Sequence, residues 1–153
     1  MTNRRSQITL SDEDQRTLLA EARTLYIASV NPDGRPHLVP MWFGIDDDGL
    51  IAFTTYGTSQ KVRNLERDPR ITVLVDAGDV YTELRGVAID GRAEIIRDDA
   101  VTARTGALVG AHHAGRPRPP QEAGDGSPPR PTKRVTIRVH PERVRSWDHR
   151  RLG

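Results

Sequence analysis

The chain has 153 residues and no cysteine, with 23 Lys and Arg against 21 Asp and Glu for a net charge of +2. That length suits one domain spanning residues 1–153, and the missing cysteines exclude disulfide scaffolds, thiol nucleophiles, thiolate zinc sites and iron–sulfur clusters. The charge is too balanced to imply nucleic-acid binding, and neither a signal-peptide pattern nor an apolar run of membrane-spanning length is visible, so a cytoplasmic protein is expected.

In chain order, Ser11 opens a predicted helix through Ala22, with Asp12, Glu13 and Asp14 at its positive end. The period then changes to two. Leu25 to Val30 and Pro36 to Phe43 read as strands joined by the turn Asn31-Pro32-Asp33-Gly34, and Leu50 to Thr55 follows the turn Asp46-Asp47-Asp48-Gly49. Gln60 to Arg67 reads as a short helix ended by Pro69. Ile71, Val73 and Val75 mark a fourth strand. Tyr81 to Ile96 is one long strand or two, interrupted near Gly86 and Gly91. Asp98 to Gly110 reads as helix, and about 112–131 as a Pro/Gly-rich loop. Arg134 to Trp147 is the last strand. About six strands with short turns and few helices predict a mainly β, antiparallel sheet closed into a small barrel.

Three segments are candidate sites. In Thr54-Thr55-Tyr56-Gly57-Thr58-Ser59-Gln60-Lys61 a strand ends, a small-residue loop follows and a helix begins. Free N–H groups there suit an anion, and a first-turn lysine, disfavoured by the helix dipole, makes sense beside one. An ordinary N-cap with a solvated lysine fits the same residues. The segment matches neither a Walker A motif nor a nucleophile elbow. In Val39-Pro40-Met41-Trp42, the proline implies an edge or a break in pairing, where backbone can lie against a flat ring; core packing is the competing reading. The ending Ser146-Trp147-Asp148-His149-Arg150-Arg151 is either a frayed tail or a segment that packs on a partner and presents arginine. Adjacent His112 and His113 do not suit a shared metal. Glu83, Asp90 and Glu94 read as solvent-face charges sooner than catalytic carboxylates, and Tyr56 and Tyr81 are weak proton-donor candidates.

Four segments in order carry a resemblance. Leu25 to Val30 with Gly34 to Phe43 resembles the opening hairpin of pyridoxamine-phosphate-oxidase-like proteins. Ser59 to Arg70 is similar to their phosphate-binding helix and following strand, and Val87 to Glu94 to their long strand. Arg143 to Leu152 resembles the ending of the actinobacterial branch that uses the deazaflavin coenzyme F420.

The resemblance implies a six-stranded antiparallel split β-barrel of the FMN-binding type, homodimeric, with cofactor sites at the subunit interface. It implies that Ser59, Gln60 and Lys61 hold the cofactor phosphate, with Arg63 and Asn64 one turn on. Val39, Pro40, Met41 and Trp42, with Thr54 and Thr55, would line the ring system, and Trp147 and Arg151 would reach the partner's cofactor. The implied activity is an oxidoreductase moving a hydride between F420 and a small electron-poor acceptor. FMN on the same fold and a non-catalytic cofactor-binding protein are the alternatives. The chain departs from the oxidases in lacking an extended arginine/lysine phosphate motif at the second strand, in its short C-terminal segment and in its Pro-rich insert from Gly115 to Pro131.

Overall fold

The structure, a computed structural model, describes residues 3–115 and 133–153; most of the Pro/Gly-rich segment lies outside them. In chain order the elements are α1 (Arg4–Ile8), α2 (Asp12–Glu21), β1 (Leu25–Val30), β2 (Pro36–Met41), β3 (Gly44–Ile45), β4 (Ile51–Tyr56), α3 (Gln60–Arg67), β5 (Arg70–Ala77), β6 (Arg85–Ile96), α4 (Asp99–His112) and β7 (Arg134–Asp148). Single 3-10 turns at Tyr81–Glu83 and His149–Arg151 precede β6 and follow β7.

The strands form one sheet in the order β2-β1-β5-β6-β7-β4-β3, every neighbour antiparallel. Its two edge strands, β2 and β3, are consecutive in the chain and separated only by Trp42 and Phe43. A flat sheet cannot satisfy that link, so the sheet curls until its edges approach, which is the barrel expected from the turn spacing. The strand count is seven, not six, because the Pro36–Phe43 segment ends at Met41 and a two-residue β3 pairs separately with β4.

The barrel interior takes every second residue: Leu25 and Ile27 from β1, Phe53 from β4, Val73 and Val75 from β5, Val87 from β6, and Val135, Ile137 and Val139 from β7. Phe43 joins them from the link between the edges, and Val62 and Leu65 of α3 close one end. Ser11 caps α2, its Oγ accepting from the Asp14 N–H at 3.1 Å, and Asp98 caps α4 by accepting from the Val101 N–H at 3.0 Å. α1 stands where the sequence showed no apolar periodicity. His112 and His113, expected in a loop, instead end and cap α4.

β6 is one unbroken strand. Its pairing with β7 slips between Asp90 and Gly91, where Asp90 faces Arg143 and Gly91 faces Pro141. Glu142 is therefore the extra residue of a β-bulge on β7. The slip has a consequence for side-chain direction. Before it the odd-numbered residues of β7 face the core; after it Val144 and Ser146 pair with the inward Ile89 and Val87, with Val144 itself exposed, and Arg143, Arg145 and Trp147 take the other side.

Candidate anion site at the end of the fourth strand

β4 ends at Tyr56, and three residues later α3 begins at Gln60 with Ser59 as its N-cap. The first intrahelical bond runs from the Arg63 N–H to the Ser59 carbonyl at 3.2 Å, so the N–H groups of Gln60, Lys61 and Val62 precede the helical ladder. Ser59 has cap geometry but makes no side-chain cap bond, and its buried Oγ has no hydrogen-bond partner among the described residues. A buried hydroxyl left unpaired costs roughly 1–3 kcal/mol, so such a group is ordinarily explained by a ligand, a water or a function.

Lys61 reaches back from the first turn of α3 and donates from Nζ to Thr55 Oγ1 at 2.8 Å. No carboxylate among the described residues pairs with it. Burial, then the nearby Arg134 charge, pull its ammonium below the ordinary lysine value. On the other face of β4, Arg134 donates to Thr54 Oγ1 at 3.1 Å. Hydroxyls, an unbonded helix turn and cations without counter-charges fit a phosphoryl group.

Gln60 and Asn64 serve the site differently. Gln60 Nε2 donates to Asn64 Oδ1 at 2.9 Å, and Asn64 Nδ2 donates to Ser29 Oγ at 3.1 Å and Asn31 Oδ1 at 2.9 Å. Asn64 is fully buried, so it acts as a bracket between α3 and β1 with no surface left for a ligand. Arg67 adds a bond to the Val30 carbonyl. Arg63, by contrast, is exposed next to Lys61.

The β2 residues divide by strand alternation. Val39 and Met41 pack against the core from the inner side, and Pro40 is exposed on the outer side. Among the described residues β2 pairs only with β1, and its second edge carries no strand from among them. The proline reading of an edge strand thus matches the topology. Trp42 is engaged elsewhere: its ring stacks on His113 at 4.2 Å between centroids and 6° between planes. Phe43 packs on His112 at 4.6 Å, and His112 Nε2 lies 2.8 Å from the Ala22 carbonyl oxygen.

Trp147 and Arg151 lie far from Lys61 within one chain. β7 pairs with Thr55 through Val135 and with Gly86 through Trp147. Twelve residues separate those positions, on the order of 40 Å along an extended strand. Trp147 lies flat over Gly86, where an added Cβ would come within 2.3 Å of the indole Cζ2. It helps to line an open groove of about 560 Å³ with Arg5, Thr9, Arg143, Arg145 and His149. Arg151 is bound to the N-terminal arm, donating to the Thr9 carbonyl at 2.9 Å and to Asp14 at 2.6 Å. The C-terminus is therefore an anchored segment, not a frayed tail.

Of the acidic candidates, Asp90 and Glu94 sit in ion pairs on a strand face, and Glu83 lies in the 3-10 turn before β6. Asp90 accepts from Thr72 and from Arg145 at 2.6 Å, and Glu94 from Arg138 and at 2.9 Å from His140. No cluster of three metal-ligating side chains exists among the described residues, and no helix among them is long and apolar enough to cross a membrane. Sequence reasoning missed Arg134, whose only signal was its place opposite Tyr56 in a register the sequence does not print.

The chain is similar to known proteins in sequence and in fold. The family model described as pyridoxamine 5'-phosphate oxidase matches residues 11–148. A pyridoxine/pyridoxamine 5'-phosphate oxidase of Rubrobacter xylanophilus is 31% identical over 91% of this chain and 71% of its own. Among solved structures, a conserved hypothetical protein of Mycobacterium tuberculosis superposes with a TM-score of 0.83 at 37% identity, covering 99% of this chain and 93% of that one. An F420 reductase superposes with a TM-score of 0.64 at 26% identity, covering 88% of this chain and 98% of that one.

Proposed function

Since the chain belongs to the pyridoxamine 5'-phosphate oxidase family and is an oxidoreductase, we propose that it transfers a hydride between coenzyme F420 and an electron-poor organic acceptor. The observation that carries this reading is the set at the end of β4: a half-buried lysine that, among the described residues, bonds only to a threonine hydroxyl, beside an N-cap serine whose buried hydroxyl has no partner among them. Similarity to an F420 reductase supports the deazaflavin over FMN. Similarity to a pyridoxine/pyridoxamine phosphate oxidase supports the second reading, an FMN-dependent oxidoreductase on the same fold.

The deazaflavin, when bound, supplies the redox chemistry. The chain's part is binding and orientation. Ser59, Lys61 and the first-turn N–H groups of α3 hold the phosphate, with Asn64 and Gln60 fixing the helix that carries them. The open edge of β2 at Val39 to Met41 offers backbone donors and acceptors to the ring system. Thr54 and Thr55 of β4 orient the two cations by accepting from Arg134 and Lys61.

The active species is a homodimer. On the outer face of β1 and β2, Tyr26 and Leu38 are 37% and 66% exposed, with Pro36 and Pro40 beside Leu38. An apolar stripe of this kind suits a second copy, and two-fold pairing would bring Trp147 and Arg151 of one protomer toward the cofactor of the other.

The test is titration of apo-protein with F420 and, separately, FMN, following tryptophan fluorescence, in the wild type and in Lys61→Ala. Micromolar or tighter F420 binding, weaker FMN binding and about a tenfold or greater loss on substitution are expected for removal of a charged hydrogen-bond donor. Tight FMN with weak F420 establishes the second reading, and binding of neither overturns both.

A further inference from the structure

Lys61 is not the only cation that the fold delivers to the end of β4. Arg134 opens β7 directly opposite Tyr56, and Thr136 pairs with Thr54. Cross-strand neighbours share a face, so Arg134 projects beside Tyr56 and Thr54. Its guanidinium carbon stands 4.6 Å from the centroid of the Tyr56 ring. One of its nitrogens donates to Thr54 Oγ1 at 3.1 Å and to the Thr54 carbonyl at 3.4 Å.

All these partners are neutral. No carboxylate among the described residues pairs with Arg134, whereas Arg138, four residues further along the same face, is surrounded by Asp46, Asp48 and Glu94. The contrast decides the reading of Arg134. Arg138 is neutralised by its carboxylates. Arg134 is instead oriented by a ring and a hydroxyl, which fix the guanidinium plane and leave its charge unspent. It stands close enough to Lys61 for its charge to bear on the lysine ammonium. Consecutive residues Thr54 and Thr55 carry the two cations on opposite faces of the last turn of strand, so the cations flank the strand end at which α3 begins. Two like charges held there without a counter-ion repel each other, and an anion between them removes the repulsion.

We propose that Arg134, held on the Tyr56 ring, is a second anion-binding residue of the cofactor site, donating from its free guanidinium edge to the phosphoryl oxygens on the solvent side. The inference rests on the phosphate reading of Lys61 and extends it. Lys61 supplies a point charge from the buried side, and Arg134 a planar fork from the exposed side. The pair would discriminate in favour of cofactors that carry a phosphoryl group and against unphosphorylated isoalloxazines or deazaflavins.

The experiment measures dissociation constants of the full chain for F420, for FMN and for riboflavin, by fluorescence, across a series of NaCl concentrations. It compares wild type, Arg134→Gln, Arg134→Lys and Lys61→Ala, with circular dichroism confirming the fold of each. For whichever phosphorylated cofactor binds, Arg134→Gln is expected to weaken binding about tenfold and to flatten its salt dependence, while riboflavin affinity stays unchanged. Arg134→Lys should restore the salt dependence and only part of the affinity, because it returns the charge without the fork. If Arg134→Gln binds within twofold of wild type with the same salt dependence while Lys61→Ala is impaired, the role of Arg134 is overturned and the phosphate reading stands. If Lys61→Ala also binds normally, both fall.

Discussion

Lys61 and Asp46 show opposite consequences of burying a charge. Burial, followed by Arg134, lowers the Lys61 ammonium below its ordinary 10.5. Between that lowered value and 10.5 the unfolded chain holds more protons than the folded one, so folding stability rises with pH through the window. The apo-protein should therefore gain thermal stability relative to Lys61→Met as pH is raised from 7 toward 10.5. An unchanged difference in melting temperature at the two ends would refute the desolvation of Lys61. At Asp46, burial by itself would raise the carboxyl, but the Arg138 guanidinium and the N–H groups of Leu50 and Asp48 outweigh it and leave the group below 3.8. Its contribution is present above that value and disappears as pH falls through the lowered folded value. Arg138→Leu should cost about 1–3 kcal/mol at neutral pH, because it leaves a poorly exposed carboxylate unpaired. It should also shrink the stability lost between pH 5 and 2. Parallel urea titrations of wild type and variant at the two pH values measure both effects.

At the scale of elements, α3 was legible because its signals are local: Val62 and Leu65 on one face, and Pro69 beyond the end. The role of Asn64 was not legible. The residue lies one turn beyond the anion site, where the family pattern suggests ligand contact, yet its partners Ser29 and Asn31 come from another strand and its turn. Asn64→Ala should therefore destabilise the fold by about 1–3 kcal/mol, leaving buried polar groups unpaired. It should weaken cofactor binding only through the displaced helix. Chemical denaturation beside the F420 titration separates the two, and an unaltered denaturation midpoint would contradict the bracket. The bulge was equally hidden. Alternation along β7 reads Val135, Ile137 and Val139 as inward, and by that period Trp147 would face the core; Glu142 breaks the parity and sends it outward. Gly91 makes the slip possible, since a Cβ there would stand 2.3 Å from the His140 carbonyl oxygen. That neighbour is backbone and cannot rotate away. Gly91→Ala should cost about 1–3 kcal/mol or more by overpacking, read from the denaturation midpoint.

For the whole molecule, the barrel was legible from short turns and period-two runs, because closure follows from strand count and connection length. The proposed homodimer would leave a fainter trace in sequence, a few apolar residues at positions that alternation assigns to solvent. Leu38 and Tyr26 are such residues, on the outer faces of the neighbouring strands β2 and β1. Trp147 is outward on β7, three strands from β1 across the same sheet. One chain holds its anion site and its C-terminal Trp147 toward opposite ends of β7, and the proposed dimer would bring Trp147 of one chain to the site of the other. Leu38→Glu places a charge on the proposed contact without touching the barrel interior, so the variant should fold as the wild type does. Sedimentation should then show wild type as a dimer and the variant as a monomer at the same concentration. The variant should also lose cofactor affinity about tenfold or more, although every residue of its own anion site is intact. A folded monomer that binds F420 as tightly as wild type would show the site to be complete within one chain. It would leave Arg151 fastening the N-terminal arm and Trp147 covering Gly86, the structural parts they already play.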